Sequence, residues 1–222
     1  MPDDVRKAAA RDNARWCAAM CASHGLTGRI DADAWSVPRR SPQWYPDAVT
    51  LRPDVDPAAL LARIDAGAGA SVKDSFADLD LTPYGFRVLF DAQWIHRPPA
   101  DPPPGPPLTR VTTAYELAAW ASAHGGGSLF RPALLTDPRV AVLARHDPEG
   151  TVVGGAVLSG DDPCGVSNVF AHTADLDEIW RAVVATRPGV PLVGYESAPD
   201  LPPPLRAGFV PAGPLRVWLR RS

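Results

Sequence analysis

The stretch RVAVLARHDPEGTVVGGAVL, Arg139–Leu158, sets two strand-like runs on either side of a cluster of turn residues, and its reading decides the fold. Arg139–Arg145 has the pattern of a strand, closed by Asp147, Pro148, Glu149 and Gly150, which supply turn geometry. Thr151–Leu158 returns as its hairpin partner. A second turn, SGDDPCG (159–165), leads into a third strand over Val166–Ala171, so an antiparallel meander is predicted.

Outward from the meander the elements are equally regular. Upstream, Thr113 offers an N-cap to a helix over Ala114–His124, with Leu117, Trp120 and Ala121 on one face and Gly125–Gly127 ending it. Downstream, Leu176, Ile179, Trp180, Val183 and Val184 fall at helical spacing and predict an amphipathic helix lying on the sheet. Pro188 and Gly189 stop it. A buried strand PLVGYES (191–197), an irregular segment around Pro202–Ala207 and a last strand over Leu215–Arg220 complete this part.

The segment His96–Arg110, HRPPADPPPGPPLTR, carries seven prolines and reads as a stiff, extended connector. It divides the chain into units over 1–97 and 111–222, joined by a connector over 98–110. Before it lie a helix over Asp12–His24, a strand over Ala48–Leu51, a helix presenting Leu60, Leu61 and Ile64, and a strand around Ser71–Phe76. CAAMCASHG (17–25) echoes LAAWASAHG (117–125), and LTPYGFRVLFDAQWIHR (81–97) echoes the chain's last residues. The expected architecture is an internal duplication whose first copy is shorter by about one β-hairpin.

Composition excludes several classes. The chain has 222 residues, 45% of them apolar, and a formal charge of −3 with both signs mixed throughout. Neither a nucleic-acid partner nor a membrane is expected, and a cytoplasmic location follows by default. Three cysteines without an export signal argue for reduced thiols. The 22 basic residues include only two lysines, Lys7 and Lys73, a coding bias toward arginine.

The order helix, antiparallel meander, helix, strand, short helix, strand resembles the GCN5-related N-acetyltransferases (GNAT), and the ending GFVPAGPLRVWLR is similar to that family's closing strands. The resemblance implies an α+β fold, a mixed and mostly antiparallel sheet flanked by helices. It also implies acetyl-CoA or another acyl-CoA as cofactor, with Val169 and Ala171 among the residues that bind it. In that family the cofactor diphosphate rests on a Gly-rich loop between the meander and the next helix, held by amides at the helix N-terminus. The corresponding FAHTADLDEIW (170–180) contains neither glycine nor arginine, and Asp175, Asp177 and Glu178 stand at the helix start. The usual anion position is therefore expected to be taken by the chain's own carboxylates.

Candidate chemistry gathers at a few residues. Tyr195 and Glu196 lie where acetyltransferase-like sheets splay. A glutamate there takes a proton from an amine and a tyrosine returns one to a thiolate, although neighbouring strand residues point to opposite faces. Lys73, with Asp74 and with Asp47 from the preceding strand, either lines a pocket for a polar small molecule or forms a solvated edge. Cys17, Cys21 and His24 share a helical face and could supply three metal ligands, but the two cysteines are read as core thiols, without a metal. His24 and His124 are read as caps of their helix C-termini. The leading functional expectation is an acyltransferase-like enzyme acting on the amine of a small molecule. The alternatives are an acid–base enzyme of secondary metabolism on the same fold without acyl-CoA, and a non-catalytic protein that binds a ligand, a partner protein or further copies of itself.

Overall fold

A computed structural model describes residues 2–101, 105 and 107–221. Pro102, Pro103, Pro104 and Pro106 of the expected connector lie outside the described residues. The chain forms two compact units. The first comprises Met1–Trp94, Tyr195–Ala198 and Pro211–Ser222, the second Ile95–Gly194 and Pro199–Val210.

In the second unit α3 (Ala114–His124) begins with a complete capping box. The Thr113 hydroxyl accepts from the Glu116 amide at 3.2 Å, and the Glu116 carboxylate accepts from the Thr113 amide at 3.0 Å. Gly125 ends the helix in the left-handed conformation. The meander follows as β7 (Val140–His146), β8 (Val152–Ser159) and β9 (Cys164–Ala171), with β6 (Thr109–Arg110) antiparallel on the outer side of β7. Then come α4 (Leu176–Thr186), β10 (Leu192–Glu196), which pairs parallel to β9 and whose last two residues belong to the first unit, and the short α5 (Pro202–Arg206). α5 occupies the segment expected to be irregular.

Two adjacent glycines on β8 let helices approach both sides of this sheet. A Cβ on Gly154 would stand 2.7 Å from Ile179 Cδ1 of α4, whereas one on Gly155 would meet Trp120 Nε1 of α3 and the Leu143 carbonyl. Trp120 is fully buried and donates its indole N–H to that carbonyl at 2.8 Å. β9 answers with a bulge. Gly155 pairs with Phe170 and Val157 with Ser167, so Asn168 and Val169 together oppose Ala156, and Asn168 adopts φ 52°. The extra residue shifts the alternation. Cys164, Val166, Val169 and Ala171 pack into the core that α4 covers, while Phe170 turns to Trp120 on the other side.

The first unit holds α1 (Pro2–Ser23), β1 (Arg29–Ile30), β2 (Ala34–Ser36), β3 (Ala48–Thr50), α2 (Pro57–Leu61), β4 (Ser71–Asp74), β5 (Phe86–Arg97) and β11 (Val210–Arg220), the last two extending into the second unit's residues. β1, β2 and β3 are antiparallel, β4 is parallel to β3, and β11 lies antiparallel against β4. The chain's last strand thus completes the first unit. α1 starts ten residues before the predicted Asp12, because an alanine-rich segment with Asp3 and Asp4 in its first turn favours helix without an apolar stripe to announce it. α2 stops at Leu61, although Ile64 beyond it packs in the same core as predicted.

Replacing Gly155 with alanine is expected to destabilise the protein by about 2 kcal/mol, since the methyl group must displace Trp120 or the sheet backbone. Urea denaturation followed by tryptophan fluorescence measures this directly.

Candidate functional site

In the second unit β9 and β10 share a short parallel ladder. β9 and β10 are joined only at Cys164–Leu192 and Gly165–Val193, and β9 continues to Ala171 beyond that join. Two parallel strands that share so short a ladder leave backbone on their inner edges free for an extended ligand. A side chain at Gly194 would press 2.9 Å from the Val166 carbonyl, so the strands still lie close where the ladder ends. The side chains of Val169 and Ala171 are partly buried against the α4 core.

Acidic groups gather at the helix end beyond β9. Asp175 caps α4 and its carboxylate accepts from the Asp177 amide at 3.0 Å. Asp177 in turn receives both Nε and Nη2 of Arg206 at 2.7 Å. The Arg206 hydrogen bonds hold the Asp177 carboxyl below the usual range, with the Arg206 and Arg181 charges adding to the effect. A cofactor diphosphate needs free amides and positive charge at such a helix start. A diphosphate set at this helix start would face the Asp175, Asp177 and Glu178 carboxylates.

The first unit contains a buried polar cluster. Lys73 is 4% exposed and lies on a central strand, registered with Val49 of β3 and Val217 of β11. A solvated edge is therefore replaced by burial. Its Nζ donates to Asn13 Oδ1 at 2.8 Å and stands 4.0 Å from the centroid of the Tyr195 ring, in cation–π geometry. Trp94 meets the same ring edge-on at 5.6 Å and donates its indole N–H to the Ser75 carbonyl. Sequence reasoning missed Asn13 and Trp94 as partners of Tyr195 and Lys73. The unmatched lysine in an arginine-rich chain was the available signal.

The two aspartates expected beside Lys73 have other partners. Asp74 is fully buried on the opposite face of β4 and accepts from the Phe76 and Leu79 amides at 3.2 and 3.0 Å. Burial raises its pKa above the usual carboxylate range. Asp47 accepts from Arg40 Nη1 at 2.9 Å and from the Ser41 and Ser71 amides, each at 2.8 Å, tying a loop to β4. Lys73 and Tyr195 come together; Asp74 and Asp47 do not join them. Glu196 is half-buried at the end of β10.

Cys17 and Cys21 are buried in α1, and burial pushes their thiols up to about 11 and about 12. Cys164, expected in a turn, is instead the fully buried first residue of β9. Among the described residues no group of three metal-ligating side chains is assembled. His124 does not serve as a charged helix cap. It stacks on Trp120 at 5.1 Å, with Phe130 and Phe170 edge-on, and burial lowers its pKa. His172, at the strand end, donates its Nε2–H to the Ala123 carbonyl of α3.

No model of a known protein family matches the sequence, and no curated protein matches it. Solved structures do. A GCN5-related N-acetyltransferase from Kribbella flavida superposes with TM-score 0.65 at 17% identity, covering 96% of each chain. A GNAT-family protein from Novosphingobium aromaticivorans gives 0.62 at 12%, covering 96% of this chain and 99% of its own. A GCN5-related N-acetyltransferase from Sphaerobacter thermophilus gives 0.51 at 15%, covering 97% and 94%. The chain has the GNAT fold. No helix among the described residues is long and apolar enough to cross a membrane.

The His124 environment predicts a pH dependence. The depressed native pKa means that the unfolded state binds a proton first, so stability is present above the ordinary histidine value of 6.5 and is lost as pH falls through the lower native value. His124→Phe is expected to flatten this acid limb in denaturation measurements, leaving the share contributed by His96, whose pKa burial also lowers.

Proposed function

We propose that the protein is an acyltransferase that transfers an acyl group from a thioester to the amine of a small molecule. The observation that carries this reading is the short parallel ladder of β9 and β10, which ends at Gly165 and Val193 within a fold shared with acetyltransferases. Beyond the ladder the β9 main chain at Val169 and Ala171 is the expected seat for the thioester arm. The diphosphate of acyl-CoA finds no matching seat at α4, so no step is assigned to it.

Amide formation joins the amine nitrogen to the acyl carbon, breaks the carbon–sulfur bond and moves one proton from nitrogen to the leaving sulfur. A base and an acid are needed. We assign the base to Glu196, half-buried at the end of β10, and let solvent return the proton to the leaving sulfur. Tyr195, next to it on the strand, points to the opposite face, where Lys73 and Trp94 hold its ring from face and edge. Lys73 and Tyr195 are assigned to that buried cluster. Asp74 and Asp47 are engaged by backbone amides and Arg40 and are assigned to stability.

Glu196→Gln is expected to abolish acyl transfer while the thermal midpoint stays within a few degrees of the parent, since the change keeps the side chain's shape. A panel of small primary amines with a thioester donor, read by thiol release, measures it. Full activity in the variant removes Glu196 from the reaction.

A further inference from the structure

The geometry of the second unit points to an acyl donor that carries its thioester on a pantetheine-length arm without a nucleotide diphosphate, with Asp175 and Asp177 enforcing the choice. This rests on the acyl-transfer reading and narrows it. Two observations in the same unit pull apart what acyl-CoA would require together. The strand edge beyond Gly165 and Val193 suits an extended arm whose amides bond to main chain. Where such an arm's nucleotide would continue, Asp175 occupies the Asp177 amide, and the acidic side chains of Asp177 and Glu178 follow in the first turn.

The arginine that meets that turn is already engaged. Arg206 is held by both oxygens of Asp177 at 2.7 Å, and Arg181, one turn on, adds its charge to the same carboxylate. A diphosphate would have to displace the Asp175 cap, approach two further carboxylates and draw Arg206 away from its partner. A donor that ends in an uncharged group meets none of these costs, because like charges oppose only a charged end. The helix start is thus a selectivity element that acts by exclusion.

Calorimetric titration of the full chain at physiological salt, with S-acetylpantetheine, S-acetyl-4′-phosphopantetheine and acetyl-CoA, tests this. S-acetylpantetheine is expected to bind about tenfold or more tightly than acetyl-CoA, about 1.4 kcal/mol in binding free energy. The phosphorylated arm separates two sources of the same chemistry. Binding level with S-acetylpantetheine supports a phosphate-ended, tethered donor, and weaker binding supports a free neutral thioester. In Asp175→Gly/Asp177→Ser, which adds a glycine at the cap and releases Arg206, acetyl-CoA is expected to gain about tenfold while S-acetylpantetheine is unchanged. Acetyl-CoA binding as tightly as S-acetylpantetheine, or more so, in the parent protein overturns the inference and leaves the acyl-transfer reading standing. An unchanged ratio in the double variant also overturns it. No binding of any of the three overturns both.

Discussion

A strand with a helix on each face must lose bulk on both faces where the helices come closest, and Gly154 and Gly155 do so on successive residues of β8. One admits Ile179 from α4 and the other admits Trp120 from α3. The hydrogen bond from Trp120 to the Leu143 carbonyl then fixes α3 against the meander through a buried indole that is fully satisfied. The bulge at Asn168 follows from the same demand. Without it, residues beyond Ser167 would reach the wrong faces, and Phe170 would leave the aromatic group around Trp120 and His124.

From that framework comes the chemistry. The bulged β9 meets β10 across two residue pairs, and the proposed seat for an acyl-bearing arm lies beyond them. Immediately past β9, the chain spends three acidic residues and Arg206 on its own helix start. The fold and the local charge thus point in different directions. The fold is that of the GNAT proteins, while the helix start gathers carboxylates of its own. In the first unit the sequence places a lysine where a strand is central, and Asn13, Tyr195 and Trp94 meet or support it. A buried cluster of this kind costs stability unless its groups are paired.

Much of the second unit was legible because its signals are local. Thr113 and Glu116, three residues apart, and Gly125 at the far end mark α3 without tertiary information. α4 shows its buried face at helical spacing, and the meander shows its turns. The bulge left a fainter mark: Val166 and Val169 are spaced by three in a strand that should alternate by two, with Asn168, a residue tolerant of positive φ, between them. β1, β2 and β6 have two or three residues each, too few for any periodicity to register. The Lys73 site was hidden for another reason. Asn13 is 60 residues away and Tyr195 further still, and such pairings arise only when β4 becomes an interior strand between β3 and β11.

If the α4 start excludes a diphosphate while the β9 edge takes a thioester arm, a bound donor perturbs one segment and spares the other. Amide nitrogen–proton correlation spectra recorded during titration with acetyl-CoA examine both places at once. Shifts confined to the β9 segment from Asn168 to Ala171, with the Asp177 amide unmoved, are the expected result. A large shift of the Asp177 amide, signalling that its bond to Asp175 has been exchanged for a bond to the ligand, would overturn the exclusion of the diphosphate.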